Sequence, residues 1–148
     1  MRTWPGFRAL IPTLAAALVG AIVTVQEPVR IGGVALGDSA ARVRAALGEP
    51  DRRDSSLGLG FWDYDRRGVS VIWDRDSGTV RGVVLHKAEA GRVEGVRVGE
   101  SADRARARWG PATRVRQGGR FLDFVRAGWI HSAELRGGRV MEITVFAK

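Results

Sequence analysis

The sequence predicts an α+β fold of two tandem units, each a short helix packed on about three antiparallel strands, sharing one body. The main observation is a stretch at residues 34–50 that returns at residues 96–111, with 8 of 15 aligned positions identical at a shift of 62. A collinear match of this kind indicates an internal repeat. Apolar residues that alternate with period two follow each copy and are typical of strands. We therefore expect repeat unit 1 at residues 29–87 and repeat unit 2 at residues 92–148.

Each copy of the repeated stretch predicts a turn followed by a short helix. Ser39 and Ser101 stand at N-cap positions, where a hydroxyl accepts a hydrogen bond from a first-turn N–H group. Three apolar residues at i, i+3 and i+7 follow each serine and form a narrow stripe. Gly48 and Gly110 end the helices, and prolines beyond them prevent continuation. Because helices this short are marginal alone in water, each must pack on other elements.

The strands predicted after each helix align at a shift of 60 instead of 62. The first copy therefore holds two extra residues, which we place in residues 55–60. Glycine-containing turns at residues 76–78 and 136–138 separate apolar runs and predict hairpins. The aligned strand segments are 61–64 with 121–124, 69–73 with 129–133, and 79–85 with 139–145.

This alignment places Trp73 opposite Ala133 and Trp129 opposite Val69. One large and one small residue at matched places have two interpretations. The core is repacked between the halves, or the tryptophans are exposed aromatic anchors for a partner. Both interpretations stay open, and Trp73 and Trp129 are candidate partner-binding residues.

The first 25 residues carry Arg2 and Arg8 and then an uncharged, apolar run at residues 9–25. A basic start followed by such a run is typical of a secretory signal peptide. The rival interpretation is a retained membrane anchor, because 17 residues touch the lower limit for crossing a bilayer. In both cases the positive flank sends the rest of the chain outward. We expect an exported protein, periplasmic or extracellular, or one anchored in the inner membrane by residues 9–25.

The chain has no cysteine, so disulfides and lipidation at a cysteine are excluded. Its stability must come from a packed core. A unit of about 60 residues buries only ~60% of its unfolded surface, and a larger body buries more. We therefore expect the two units to share an interface.

The formal net charge of +8 is concentrated in the second half of the chain. Residues 92–148 hold 12 basic and 6 acidic residues, whereas residues 29–91 hold 10 and 9. The excess of positive charge is either a solvated arginine-rich face or a surface that contacts an anionic partner. The candidate partner-binding arginines, which have no basic counterpart in the first half, are Arg97, Arg108, Arg116, Arg120, Arg136 and Arg139.

The sequence predicts no catalytic residue, no cofactor and no metal site. Asp74, Asp76 and Gly78 resemble part of a calcium loop, but no bidentate glutamate follows, so we predict a hairpin turn there. The two histidines, His86 and His131, do not align, and no Gly-x-Ser-x-Gly elbow surrounds any serine. His131 stands at an apolar strand position, and we predict that it is packed or half-buried.

The repeated pattern is an apolar strand, Gly-Asp/Glu-Ser, a short helix ending in Leu-Gly or Trp-Gly, and an aromatic-rich run of three strands. It resembles the SmpA/OmlA (BamE) family of outer-membrane assembly lipoproteins. Its duplication is similar to the two-repeat fold of the β-lactamase inhibitor proteins. The resemblance covers residues 29–146 and implies a non-enzymatic protein that binds proteins or supports envelope complexes. It supplies no catalytic residue, and this chain lacks the lipobox cysteine.

These features predict an exported, non-catalytic protein-binding or envelope-complex module that is not an enzyme. One alternative is a membrane-anchored extrinsic accessory subunit of a larger membrane complex. Another is a binder of anionic polymer through the second-half arginines. We expect a protein partner, a membrane complex included, and we do not expect nucleic acid.

Overall fold

The computed structural model describes residues 29–126 and 128–148. The predicted signal peptide or anchor at residues 1–25 lies outside this part of the chain. Among the described residues, no helix has the length and apolar character needed to span a membrane. The elements there are β1 (Arg30–Ile31), β2 (Val34–Ala35), α1 (Ala40–Leu47), β3 (Arg52–Ser56), β4 (Leu59–Tyr64), β5 (Val69–Asp74), β6 (Thr79–Leu85), α2 (Ala102–Trp109), β7 (Arg114–Arg116), β8 (Phe121–Val125), β9 (Trp129–Arg136) and β10 (Arg139–Ala147), with 3₁₀ turns at Ala88–Ala90 and Gln117–Gly119.

Eight of the strands form one antiparallel sheet in the order β3-β4-β5-β6-β10-β9-β8-β7. The halves meet edge to edge, because β6 pairs with β10 from Leu85 opposite Ile143 to Gly82 opposite Phe146. We call this junction the seam. The predicted fold of two tandem units, each a helix on about three strands, is therefore wrong. Each half contributes four strands to a single sheet.

The fourth strand of each half escaped prediction because it is polar. β3 has the sequence RRDSS with all five residues exposed, and β7 has the sequence RVR. Charged residues are common on edge strands, where they discourage pairing with other chains. Backbone pairing with β4 or β8 holds these strands, so apolar alternation could not reveal them.

The predicted helix starts are confirmed in both copies. Ser39 Oγ accepts a hydrogen bond from the N–H of Arg42 at 3.3 Å, and Ser101 Oγ accepts one from the N–H of Arg104 at 3.1 Å. Each helix buries its apolar stripe against the sheet, and the buried residues are Val43 and Leu47 in α1 and Ala102, Ala105 and Trp109 in α2.

An approximate twofold axis crosses the seam between Val84 and Thr144. These residues lie directly opposite each other, and they match at a shift of 60. The seam therefore joins equivalent strands, as an isologous interface does. The turns before the helices are also equivalent. Gly37 donates its N–H to the carbonyl of Val80 on β6, and Gly99 donates its N–H to the carbonyl of Val140 on β10, each at 2.7 Å.

Strand β9 is displaced by two residues from the predicted alignment. Asp63 lies opposite Ser70 in the first half, and Asp123 lies opposite Ser132 in the second. β5 and β9 therefore match at a shift of 62. The cause is turn length: four residues separate β5 from β6, and two separate β9 from β10. The two extra residues placed at 55–60 are confirmed, since β3 and β4 pair for two residues more than β7 and β8.

The helices and the β1–β2 hairpin lie on one face of the sheet and enclose the core, which includes Val71, Leu85, Phe124 and Ile143. Side chains at alternate strand positions lie on the opposite face. No helix or strand within residues 29–126 and 128–148 covers that second face, which we call the open face.

Candidate functional site on the open face

One row of side chains on the open face is apolar across five strands. The strand register places Phe61, Ile72, Gly82, Phe146 and Ile130 side by side on β4, β5, β6, β10 and β9. We call these residues the apolar row. Phe61, Phe146 and Ile130 are half-buried, whereas Ile72 is only 4% exposed. Because neighbours on one face of a sheet pack together, the row forms a continuous strip across the seam.

A polar row lies beside the apolar row and repeats the same order on both sides of the twofold axis. Each half places an aspartate opposite a serine, and the serine hydroxyl donates to the aspartate. Ser70 Oγ donates to Asp63 Oδ1 at 2.6 Å, and Ser132 Oγ donates to Asp123 Oδ1 at 2.8 Å. The full row is Arg52, Asp63, Ser70, Val84, Thr144, Ser132, Asp123 and Arg114.

The two ends of the seam differ in chemistry. At one end Phe146 lies against Gly82, and a Cβ at position 82 would lie 2.8 Å from Cδ1 of the Phe146 ring. At the equivalent place on the other end, His86 Nδ1 lies 3.0 Å from Glu142 Oε2. A shift of 60 relates Gly82 to Glu142 and His86 to Phe146. One end of the seam is therefore held by apolar packing and the other by an ionic contact.

His86 is the centre of a chain of four side chains. Ser70 Oγ lies 2.8 Å from His86 Nε2, and the Ser70 hydroxyl donates a hydrogen bond to Asp63. The other ring nitrogen of His86, Nδ1, lies within hydrogen-bond distance of Glu142. When Ser70 gives its single hydroxyl proton to Asp63, His86 Nε2 is the donor toward Ser70. A histidine that donates from both nitrogens is an imidazolium. The hydrogen bond to Glu142, opposed by burial, raises the pKa of His86 accordingly.

Ser70, His86 and Glu142 stand in the order of a nucleophilic triad, but their protons are placed differently. A general base needs a neutral imidazole that accepts the serine proton. Here the Ser70 hydroxyl donates its hydrogen bond to Asp63 instead, and the negative charge of Asp63 beside Ser70 opposes formation of an oxyanion. The arrangement holds a positive charge between carboxylates and does not activate Ser70. That the chain is not an enzyme stays a prediction.

In the second half, an arginine from the edge strand β7 is the cation beside the aspartate–serine pair. Arg116 donates to Asp123 from Nε at 2.7 Å and from Nη2 at 2.9 Å. This bidentate contact is the main reason that the pKa of Asp123 is lowered. Arg120 donates to Glu134 at 2.6 Å from Nη2, and the guanidinium groups of Arg116 and Arg120 both stack on the ring of Phe121.

Two clefts occupy equivalent places on either side of the axis. The polar cleft has a volume of about 420 Å³, and the aromatic cleft has one of about 380 Å³. Within the described parts of the chain, no group of three or more His, Asp or Glu side chains is placed to hold a metal ion. The polar cleft is lined chiefly by Arg52, Asp63, Asp65, Ser70, His86 and Lys87. The aromatic cleft is lined chiefly by Arg114, Phe121, Asp123, Ile130, Thr144 and Phe146.

The six candidate arginines are spread over several elements. Arg116 and Arg120 lie at the edge of the open face, where carboxylates pair with both. The other four lie in α2, in the turn before it, or on the β9–β10 hairpin, where one of them donates to the carbonyl of Gly99. These four are Arg97, Arg108, Arg136 and Arg139.

The tryptophan matches predicted from the sequence are wrong, because β9 is displaced by two residues. Trp73 corresponds to Leu135, and it is 6% exposed in the core with its ring centroid 4.6 Å from that of Trp62. Trp129 is half-buried and lies parallel to His131, with 6.5 Å between ring centroids. His131 is 1% exposed, so its predicted burial is confirmed, and that burial lowers its pKa to about 4.

Sequence reasoning missed the residues around His86. A signal was present, because Asp63, Ser70 and Glu142 are polar positions within strands that are otherwise largely apolar. Their partners were hidden, since 56 residues separate His86 from Glu142. Only the pairing of β6 with β10 brings these two side chains together.

The comparisons with known proteins inform on the fold alone. No protein-family model and no curated protein matches this sequence. Similar solved structures include a cysteine-rich secretory protein from Staphylococcus aureus (TM-score 0.59, 11% identity) and an extracellular protein containing a SCP domain from Bacillus anthracis (0.53, 13%). In both cases the match covers 76% of this chain and 44% of the other. A DUF4309 family protein from Bacillus subtilis has a TM-score of 0.51 and 17% identity over 74% of this chain and 78% of its own.

These neighbours overturn the resemblance to the SmpA/OmlA (BamE) family and to the β-lactamase inhibitor proteins. The chain spans less than half the length of the first two neighbours. The motif that suggested the other families records a glycine turn and a capped helix, which are local requirements shared by unrelated sheets. Two of the neighbours are described as extracellular or secretory.

Proposed function

We propose that this chain is an exported protein-binding module that holds a protein partner against the open face of its sheet. The observation that carries the proposal is the apolar row, which crosses the seam and leaves Phe61, Phe146 and Ile130 half-exposed. When helices cover one face of an antiparallel sheet, the other face is commonly polar and solvated. A continuous apolar strip on that face supports contact with another protein.

The charges beside the apolar row favour a protein over an anionic polymer. Four basic side chains there already contact carboxylates, so a polyanion would have to displace those carboxylates. A partner surface with an apolar centre and a polar rim leaves the pairs in place. The pairs are Arg52 with Asp65, Arg116 with Asp123, Arg120 with Glu134, and His86 with Glu142.

The aromatic cleft fits an apolar anchor residue of the partner. Phe121, Ile130 and Phe146 supply its apolar wall, and Arg114 and Asp123 lie among its polar groups. A few bulky side chains that fill such clefts commonly carry most of the binding energy of an interface. We expect the partner to place an aliphatic or aromatic side chain here and polar groups around it.

Export is supported by the predicted N-terminal segment and by the descriptions of two neighbours in fold. The proposed location is the periplasm or the extracellular space. Where residues 9–25 are retained, they tether the chain to the inner membrane, and the same open face then serves an accessory subunit of a membrane complex.

Site-specific photo-crosslinking in cells of the source organism tests the proposal. A photoreactive phenylalanine analogue replaces Phe61 or Ile130 on the open face, or Leu57 in the β3–β4 turn as the control. Leu57 is 99% exposed, so its position is at least as accessible to any neighbour. We expect both open-face positions to crosslink the same protein and the Leu57 position not to do so. Ile130→Glu should abolish the crosslink from position 61, and Leu57→Glu should preserve it.

Three outcomes would overturn the proposal. The first is equal crosslinking from position 57, which would show that contact is nonspecific. The second is crosslinking only to residues 1–28 or to a second copy of this chain, identified by mass spectrometry of the crosslinked peptides. The third is the absence of any crosslinked protein.

A further inference from the structure

We propose that His86 and Glu142 form a pH-dependent clasp across the seam, closed while His86 carries its proton and opened by the loss of that proton. The clasp itself depends only on the fold. Its regulatory consequence, that pH adjusts the open face for its partner, rests on the function proposed above.

The seam is where such a clasp has most effect. Within the described residues, the two four-stranded halves of the sheet hydrogen-bond only through β6 and β10. At one end of this junction the ring of Phe146 packs against Gly82, and neither residue titrates. At the equivalent place on the other end, His86 and Glu142 make the contact. A single proton therefore acts on one end of the seam and leaves the other unchanged.

The hydrogen bonds around His86 cannot all survive deprotonation. The imidazolium donates to Glu142 and to Ser70, while Ser70 donates to Asp63. A neutral imidazole keeps one proton. If the proton stays on Nδ1, Nε2 becomes an acceptor and competes with Asp63 for the Ser70 proton. If it stays on Nε2, the lone pair of Nδ1 faces the Glu142 carboxylate. One bond of the chain is lost in either case.

The charges that face His86 favour its protonated form. Glu142 of β10, Asp63 of β4 and Asp65 just beyond β4 are carboxylates, and all three raise the pKa of His86. Two cations also lie near these carboxylates: Arg52 is 3.5 Å from an Asp63 oxygen and 3.1 Å from an Asp65 oxygen, and Lys87 donates to the Asp65 carbonyl at 2.7 Å. Glu134, which lies opposite Glu142 on β9, is paired with Arg120.

The direction of the effect follows from linkage. A histidine whose pKa is raised in the folded state contributes stability that is fully present below its ordinary pKa of 6.5. That contribution disappears as the pH rises through the folded value. His86 lines the polar cleft on the open face, so the loosened end of the seam lies beside the proposed binding surface for the partner. We expect affinity for the partner to fall about two- to fivefold over this range, because the ionic contact is partly exposed.

Nuclear magnetic resonance on the full chain alone tests the clasp. Imidazole ¹⁵N resonances report the protonation of His86, and amide hydrogen exchange, corrected for intrinsic rates, reports opening of the seam. We expect His86 to titrate above 6.5. We also expect protection near Leu85 and Ile143 to fall with that titration, while protection near Gly82 and Phe146 stays constant as an internal control.

Two variants separate the clasp from general destabilisation. The double substitution His86→Phe with Glu142→Gly copies the apolar end of the seam and should make both ends independent of pH. Glu142→Gln keeps the shape and removes the charge, so it should lower the pKa of His86 even if the double variant fails to fold. These measurements need no partner, so they test the clasp independently of the proposed function. The clasp can be refuted while crosslinking from position 61 succeeds, and crosslinking can fail while the clasp is observed.

The proposal is overturned if His86 titrates at or below 6.5, or if both ends of the seam lose protection equally. It is also overturned if Glu142→Gln leaves the titration of His86 unchanged. A double variant that folds and keeps the wild-type pH dependence at the His86 end would contradict it as well.

Discussion

Replacing His131 by phenylalanine should make the protein more resistant to acid. The ring of His131 is 1% exposed and lies edge-on to Trp109 with 5.1 Å between centroids. Its Nδ1 atom has no hydrogen-bond partner among the described residues. Burial lowers the pKa of His131 from 6.5 to about 4, and the Glu94 carboxylate 3.9 Å away offsets this only in part. The folded state therefore keeps the ring neutral at a pH where the unfolded chain protonates it.

The magnitude follows from the difference between the folded and unfolded pKa values of His131. Between pH 6.5 and about 4, the unfolded chain binds a proton that the folded chain does not, so the free energy of unfolding falls as the pH falls. The loss is about 2 kcal/mol from pH 7 to pH 5 and approaches ~3 kcal/mol near pH 4. Phenylalanine has no such proton to bind, and it keeps an aromatic ring between the tryptophans.

Urea unfolding at pH 7 and pH 5, followed by tryptophan fluorescence, measures this difference. Wild type should lose about 2 kcal/mol more than His131→Phe between the two pH values. His131→Val, which copies Val69 at the matched position of the first half, should behave like the phenylalanine variant. Equal losses in wild type and both variants would refute the reasoning, as would direct titration of His131 near 6.5.

Two further predictions concern the seam and the second half of the polar row. Gly82→Ala should destabilise the protein by about 1–3 kcal/mol in urea unfolding, because its Cβ would lie 2.8 Å from the Phe146 ring. Gly60→Ala, whose Cβ would meet Trp73 at 3.4 Å, is the control, and an equal effect of both would contradict the packing argument. Arg116→Met should raise the pKa of Asp123, measured by carboxyl ¹³C titration, and an unchanged value would disprove the assigned cause. Above pH 3.8, Arg116→Met should also lower the free energy of unfolding by about 1–2 kcal/mol. Wild type loses this stabilisation as the pH falls through the lowered pKa of Asp123.

The features that could be predicted from the sequence are local ones. Ser39 and Ser101 cap helices because a hydroxyl three residues before a free N–H reaches it without help from the rest of the fold. The burial of His131 followed from an apolar strand pattern. The two extra residues of the first copy appeared as a change in the repeat shift, and they lengthen the β3–β4 pair as expected. In each case the signal in the sequence lies within a few residues of the feature that it predicts.

The features that only the tertiary structure decided are pairings between distant residues. Every strand edge offers the same backbone donors and acceptors, so the repeat did not reveal that β6 would pair with β10. The register of β9 depended on turn lengths. A two-residue change in the repeat alignment matches Trp73 with Leu135 instead of Ala133. The proposed site follows from these choices, because the apolar row and the His86–Glu142 contact exist only where β6 meets β10. Local sequence determines which segments become strands, and the packing of the whole chain determines which edges meet.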